Sequence, residues 1–211
     1  MSLQELLKVE SELRDETWED QFFTCIAESK VNVLSADPQT GPDGWPYLFV
    51  ETSDQGKEPA QKVLQWLAGR GIGMAVNPQQ DYPDFILSWG MVWCFRETGR
   101  FMRRDLIPPT GTFELTPDMI KHAGTPSPDY LPDYVRQTLR DFFRDQGILD
   151  PRILVMSQDR VHYELAFSLE SLGNPPESEH EGIAEAISWF LPPHYSILLI
   201  SEKTLPPFGK L

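Results

Sequence analysis

The sequence predicts an α+β fold made of two related strand-helix-strand units, with mixed sheets and helices packed on them. Three observations favour it: one order of elements occurs twice, each copy has a tryptophan near the helix end, and a segment rich in proline and glycine lies between the copies. The first copy covers 47–50, 58–68 and 72–76, and the second covers 163–167, 178–191 and 197–200. We therefore expect Trp66 and Trp189 to occupy matching helix positions.

The size of the chain allows one large domain or two small ones. Its 211 residues are 40% hydrophobic and include 12 Phe and 6 Trp, which is enough for a substantial core. We predict an N-terminal α/β unit at 1–107, a connection rich in proline and glycine at 108–132, and a C-terminal α/β unit at 133–211.

The first elements are predicted to be helical. Ser2 and Glu5 have the spacing of a capping box. Thr17 precedes a second helical stretch in which Phe22 and Ile26 share one face.

A strand at 31–34 and a turn-rich loop at 37–44 lead into the first repeated strand. The following helix, 58–68, ends at Gly69 or Gly71.

The segment after the next strand is ambiguous. Residues 84–87 predict a strand, whereas 88–98 fit either a helix capped by Ser88 and ended by Gly99 or the return arm of a hairpin. We favour the helix. Continued past Gly99, it would align four arginines on one face, either to grip an anion or to offset neighbouring acids: Arg96, Arg100, Arg103 and Arg104.

In the second half, Thr116 and Pro117 predict the start of a short helix that runs to Gly124. A longer helix has an apolar stripe and stops at Gly147. Strands at 153–156 and 162–169 follow. The apolar stripe of that longer helix is Val135, Leu139, Phe142 and Phe143. A last helix is predicted at 178–191, and its inward residues are Ile183, Ile187, Phe190 and Leu191.

The net charge of −14 is shared equally by the two halves of the chain, at −7 each. Such a chain repels a nucleic-acid backbone and an anionic membrane surface, so we expect neither as a partner. Two cysteines cannot build a disulfide framework, and the N-terminal residues lack the pattern of a signal peptide. A cytoplasmic location fits best.

A family resemblance covers most of the chain. A helix that ends at Ser29, the strand at 31–34, the strand that runs into 52–54 and the segment 73–78 together resemble the N-terminal half of the enhanced serine sensitivity (SseB) proteins. The order of elements from 133 to 200 is similar to their C-terminal half. The chain departs from the family pattern where Glu51 precedes Thr52-Ser53 and where Trp89-Gly90 follows Ser88. The resemblance implies a cytoplasmic bacterial protein with no established catalytic residues.

The sequence lacks the usual catalytic motifs. It has no G-x-S-x-G elbow, no phosphate-binding G-x-x-x-x-G-K-[ST], no H-E-x-x-H and no C-x-x-C. The glycine-rich segment 69–73 ends a helix instead of starting one, so it is a helix cap rather than a phosphate loop. We predict no catalytic residue, no metal and no cofactor.

His162 and Glu164 are the first polar candidates. Alternate residues of a strand share a face, so these two point the same way, while Tyr163, Leu165 and Phe167 are expected to pack inward. The pair could act as an acid/base couple or as two metal ligands. The sequence shows no third polar residue at a spacing that would complete a catalytic or metal site with them. We therefore interpret the pair as exposed and non-catalytic, and His162 as dispensable for any chemistry.

A second group of polar residues opens the helix at 178–191. Glu179, His180 and Glu181 resemble metal ligands, but Ser178 with Glu181 also fits a capping box, and we favour the cap. His194 is interpreted as the end of a turn.

The clearest feature is a stretch without bases. Between Arg160 and Lys203 there is no Lys or Arg. The interval contains seven acids: Glu164, Glu170, Glu177, Glu179, Glu181, Glu185 and Glu202. Such a stretch predicts a surface of one sign, and the partner-binding candidates are Glu177, Glu179, Glu181 and Glu185.

The resulting hypothesis is a non-enzymatic binding or regulatory protein that acts through protein-protein interaction on this acidic surface. A basic protein is the partner that such a surface would bind. The alternative is a small enzyme or ligand-binding protein that uses a cleft between the two units. The oligomeric state is not predicted.

Overall fold

The computed structural model describes residues 2–53, 55–79, 82–107, 116–203 and 205–211. The chain divides into two compact units, Met1–Met102 and Arg103–Leu211, named here the N-terminal and C-terminal units. Residues 108–115 of the predicted connection and Asp54 of the SseB-like pattern lie outside the described residues. Among the helices described, none is both long and apolar enough to cross a membrane.

Both units combine helices with a mixed sheet, so the fold is α+β, as the sequence predicts. The helices are α1 (Leu3–Leu6), α2 (Glu16–Glu28), α3 (Ala60–Ala68), α4 (Trp89–Thr98), α5 (Pro117–Lys121), α6 (Asp133–Asp145) and α7 (Glu177–Ser188). The strands are β1 (Lys30–Val33), β2 (Gln39–Thr40), β3 (Pro46–Thr52), β4 (Glu58–Pro59), β5 (Gly73–Val76), β6 (Phe85–Leu87), β7 (Arg152–Ser157), β8 (Tyr163–Ser168), β9 (Ser196–Ile200) and β10 (Gly209–Lys210).

The sheet of the N-terminal unit has the order β4-β1-β3-β5-β6, with β2 paired to β3. β3 and β5 are parallel and α3 connects them, whereas β1 and β6 are antiparallel to their neighbours. Parallel neighbours require such a crossover helix.

The sheet of the C-terminal unit has the order β10-β7-β8-β9. β8 and β9 are parallel and α7 connects them, while β7 is antiparallel to β8. Both units therefore share the order helix, antiparallel strand pair, crossover helix and parallel strand, and the predicted strand-helix-strand units are confirmed.

Both faces of the C-terminal sheet are covered. On one face Phe143 of α6 packs against Phe167, with ring centroids 5.9 Å apart. On the other face Met119 of α5 joins a cluster with Met156 and Ala166, and Phe208 packs against it. Leu165, Ala166 and Phe167 of β8 are therefore all buried, although successive side chains of a strand point to opposite faces.

Several predicted boundaries are confirmed. Ser2 and Glu5 form a capping box on α1, and Thr116 with Pro117 starts α5. Ser88 caps α4, and Gly99 ends that helix in the left-handed conformation at φ 72°. The segment 88–98 is thus a helix.

Two local predictions are wrong. α2 begins after Asp15, whose carboxylate accepts the Trp18 N–H, and not after Thr17. α3 begins at Ala60, because Glu58–Pro59 pairs with β1 as a short strand. The condition for a four-arginine face is not met, because α4 stops at Thr98 and leaves the later arginines outside the helix.

The two tryptophans of the repeat do not occupy matching positions. Trp66 lies within α3 and is 40% exposed, whereas Trp189 follows the last residue of α7 and is 8% exposed. The likeness of the units therefore lies in the order and pairing of their elements and not in this pair of side chains.

Candidate functional site

Three of the predicted glutamates form a line along the crossover helix α7. Glu177, Glu181 and Glu185 are spaced four residues apart, which places them on one side of a helix, and Glu179 lies on another side. All four are exposed. Among the described residues, none of the four side chains forms an ion pair or a hydrogen bond. We name Glu177, Glu181 and Glu185 the acidic stripe.

The cap of α7 is not the predicted one. The helix begins at Glu177 after Pro176, so Ser178 lies inside the first turn and is not its N-cap. Acids in the first turn are stabilised by the helix dipole, which accounts for Glu177 and Glu179. Glu181 and Glu185 lie beyond that turn, and neither the cap nor the dipole explains them.

Two other acids of the base-free stretch, Glu170 and Glu202, serve the structure. The Glu170 carboxylate accepts hydrogen bonds from the Ser201 hydroxyl and from the Glu202 N–H, and these bonds lower the Glu170 pKa. Ser168 donates to Glu202 Oε1 at 2.6 Å. These two residues connect the carboxyl ends of β8 and β9, so the stretch contains two structural acids, four exposed acids on α7, and Glu164 on β8.

His162 and Glu164 do not form the pair that the alternation suggests. His162 Nδ1 lies 2.6 Å from Asp159 Oδ2, in the turn that joins β7 and β8. Asp159 also accepts the N–H groups of His162 and Val161, and these bonds hold its pKa well below the usual range. In the described part of the chain the Glu164 side chain has no hydrogen-bond partner, and its Oε2 is buried.

Tyr163 also differs from expectation. Its ring is 38% exposed instead of packed inward, and its hydroxyl donates to the Arg160 carbonyl at 3.0 Å. The residue is the first of β8, whose last four residues are buried.

Comparison with family models, with curated proteins and with solved structures gives no match to this chain. The SseB-like resemblance therefore stays a prediction, and the assignment of a site rests on the geometry of the chain itself.

Tyr130 of the C-terminal unit has a buried hydroxyl that the sequence did not predict. The Tyr130 ring stacks on Tyr195 at 4.5 Å, and its hydroxyl is buried without a partner among the described residues. Burial, then the neighbouring Tyr195 and Glu164, raise the pKa of Tyr130 well above its ordinary value. The sequence carries no signal for this cluster, because its members come from separate turns.

His194 is a buried acceptor and not merely the end of a turn. It is 8% exposed, and its Nδ1 accepts the Arg103 N–H at 3.2 Å. Burial and the neighbouring Arg103 lower the pKa of His194 to about 4. The imidazole is therefore neutral near pH 7 and has a structural role. The flanking prolines at 192–193 gave the sequence a turn signal but no sign of this bond.

The matching helix of the N-terminal unit has the opposite charge. Between Glu58 and Asp81 the sequence has no Asp or Glu, but it has Lys62 and Arg70. The Arg70 guanidinium lies 4.1 Å from the centroid of the Trp66 ring. A shallow groove of about 260 Å³ runs beside Trp66, and its lining residues are Val33, Ala36, Leu48, Glu58, Lys62, Val63 and Trp66.

Within the described residues, no group of three or more His, Cys, Asp or Glu side chains is arranged to hold a metal ion. Glu179, His180 and Glu181 do not converge: the His180 ring lies near the Pro175 carbonyl, with Nε2 at 3.1 Å, while both glutamates face solvent. Within the acidic stripe, Glu181 and Glu185 are thus the exposed charges that local structure leaves unexplained.

Proposed function

We propose that this chain is a non-enzymatic binding or regulatory protein that recognises a basic protein partner through the acidic stripe on α7. The observation that carries the proposal is the position of Glu181 and Glu185. Both are exposed, both lack a partner among the described residues, and both lie beyond the reach of the helix dipole.

Stability gives no reason for these two residues. Like charges four residues apart on a helix destabilise it by about 0.2–0.5 kcal/mol. The last turn of α7 has no basic residue to offset them, and the sequence offers none between Arg160 and Lys203. An acidic surface of this kind accelerates the encounter with a basic partner and disfavours acidic ones.

We place this function in the cytoplasm. Cys25 is half-buried and Cys94 is buried, and both are thiols, which suits a reducing compartment. Their spacing and burial fit packing in the N-terminal unit rather than a disulfide framework.

The test begins with the tagged full chain as bait and with a Glu181→Lys/Glu185→Lys variant. Proteins retained by the wild type and lost by the variant are purified, and their dissociation constants are measured at about 50 and about 500 mM salt. We expect the wild-type affinity to fall with salt and the variant to bind at least tenfold more weakly at low salt.

A matched control separates the stripe from net charge alone. Glu10→Lys/Glu12→Lys makes the same change of charge at exposed positions of the N-terminal unit. This control should retain binding within about twofold. A partner whose affinity ignores salt and the α7 reversal, or responds equally to both reversals, contradicts the proposal.

A second candidate is ligand binding at the groove beside Trp66. Two observations favour it: the groove is mostly apolar, and Trp66 is 40% exposed beside it. Lys62 on its rim forms no ion pair with any described residue and could meet an anionic group of an apolar ligand. Trp66→Ala combined with a fluorescence screen of aromatic carboxylates tests it, and saturable quenching that the variant lacks is the expected result.

A further inference from the structure

β9 is the last strand of the C-terminal sheet, and its outer side is open among the described residues. The Ile200 carbonyl accepts the Leu169 N–H at 3.0 Å, so the main chain of Ile200 faces β8. In a parallel pair alternate residues bond to the same neighbour, and therefore the N–H and C=O groups of Ile197 and Leu199 point outward. No described strand pairs with that side.

The equivalent strand of the N-terminal unit, β5, has a neighbour on the side that is open in β9. β5 also follows a crossover helix, but β6 pairs with its outer side in antiparallel register, with Ala75 opposite Ile86. All four residues of β5 are buried, whereas all five residues of β9 are only partly buried.

Within the described part of the chain, β9 also lacks the usual protection of an edge. Proteins shield sheet edges with charged residues, prolines, bulges or a covering segment. The strand Ser196–Ile200 is uncharged, contains no proline and has four apolar residues in a row. Such an edge is suited to accept another strand through main-chain hydrogen bonds.

We propose that β9 accepts an extended basic segment of a partner protein as an added strand, and that the acidic stripe of α7 pairs with its lysines or arginines. This inference rests on the proposed function and names how the partner binds. Charge complementarity selects the occupant, because α7 is the crossover helix that leads into β9 and brings the unpaired glutamates with it.

The same charges disfavour a second copy of this chain. Pairing of β9 with β9 of another molecule would bring a second acidic stripe to the joint edge. Like charges at an interface oppose association. A foreign strand with basic side chains at alternate positions avoids this conflict, because alternate residues of an added strand lie on the same face of the sheet and bring all its basic groups to one side.

The test uses the full-length protein and a labelled eight-residue peptide of alternating lysine and valine with blocked ends. A second peptide has every main-chain N–H methylated, which keeps the charge but removes the donors. We expect anisotropy titration at low salt to give at least tenfold weaker binding for the methylated peptide and for the Glu181→Lys/Glu185→Lys variant with the unmodified peptide.

Hydrogen exchange supplies a readout within the chain. The unmodified peptide should slow exchange at the Ile197 and Leu199 amides, while the Leu198 amide, which faces β8, should change little. An aspartate-valine peptide of the same length is the charge control and should not bind.

The outcomes separate the two proposals. If both lysine peptides bind equally and the charge reversal still weakens them, the added strand is wrong and the acidic-surface function stands. If methylation matters but charge reversal does not, the basic occupant is wrong, and the proposed function fails with it. Absence of binding by every peptide overturns the added strand.

Discussion

The two crossover helices occupy the same place in their units but face solvent with opposite charge. α3, between β3 and β5, lies in the stretch 59–80, which has Lys62 and Arg70 and no acid, whereas α7 connects β8 to β9 in a stretch with no base. Their burial differs as well, because five residues of α3 are buried but only Ile187 of α7 is. The comparison teaches that the shared order of elements fixes the place of each crossover helix and leaves the charge of its exposed side free to differ.

The strands after the two crossovers differ as well. β5 is sealed by β6, and Gly73 permits the close approach, since a Cβ there would lie 2.7 Å from the Leu87 carbonyl oxygen. β9 ends its sheet and stays partly exposed. In the N-terminal unit the strand after the crossover is thus an inner strand of its sheet, whereas in the C-terminal unit it is an edge strand beside the charged helix.

The largest expected difference between the units concerns Trp66 and Trp189. Trp189 is 8% exposed and packs edge-on against Phe190 at 5.0 Å, so Trp189→Ala should lower the free energy of unfolding by about 3 kcal/mol. Trp66→Ala should lower it by about 1 kcal/mol or less, because the ring is 40% exposed and contacts Arg70. Urea denaturation followed by circular dichroism measures both. Equal losses would show that the exposed ring is more important to the fold than its burial indicates.

The second comparison concerns the carboxyl ends of the parallel strands. Asn77 is buried at φ 51°, its Oδ1 accepts the Thr52 N–H at 2.8 Å, and its Nδ2 donates to Asp84 Oδ2 at 2.7 Å. Asn77→Ala leaves buried groups unsatisfied and places alanine in the left-handed region, and should cost about 2–3 kcal/mol. Ser201→Ala, at the position after β9, should cost about 1 kcal/mol, since Ser201 is partly exposed.

Asn77→Gly is the matched control for backbone strain. It loses the same hydrogen bonds but tolerates the positive φ, so it should be more stable than Asn77→Ala if strain contributes. Tryptophan fluorescence reports mainly on the N-terminal unit, which contains five of the six tryptophans. A Ser201→Ala loss as large as that of Asn77→Ala would contradict the comparison.

The sequence predicted the elements better than it predicted their surroundings. Hydrophobic periodicity located the repeated strands and helices, because burying one side of an element imposes its period on the local sequence. The first residue of a helix was harder to predict. Asp15 and Thr17 are both good N-caps, and the choice between them depends on tertiary packing.

The candidate site was predictable only in part. Local sequence reveals the absence of bases around α7, but the open edge of β9 depends on which strand pairs with it, and that is a long-range property. The burial of His194 and its hydrogen bond were not predicted for the same reason, because the donor Arg103 lies far away in the sequence.

The pH dependence should also distinguish the units, because all four histidines lie in the C-terminal unit. The pKa of His194 is about 4 in the folded chain and about 6.5 in the unfolded chain, so below pH 6.5 the unfolded state binds the extra proton. The free energy of unfolding should fall by up to about 2 kcal/mol between pH 7 and 5 and continue to fall towards pH 4.

His194→Asn is the control for this effect. Its amide oxygen can accept the Arg103 N–H without titrating in this range, so the decline between pH 7 and 5 should shrink. Thermal unfolding at several pH values measures the difference. An unchanged decline in the variant would assign the pH dependence to other groups.

The smallest expected effect bears most directly on function. Glu181→Gln/Glu185→Gln removes a like-charge pair beyond the first turn of α7, and it should raise the free energy of unfolding by about 0.2–0.5 kcal/mol. Lys62→Gln on α3 is the comparison, because Lys62 has no ion pair with the described residues and its loss should change stability by less than about 0.5 kcal/mol in either direction. Replicate urea titrations with a shared slope can resolve such differences. A gain at α7 together with loss of the basic partner would show that the stripe is kept for recognition at the expense of stability. A loss of stability at α7 would instead give Glu181 and Glu185 a structural reason and remove the main support for the acidic stripe as an interface.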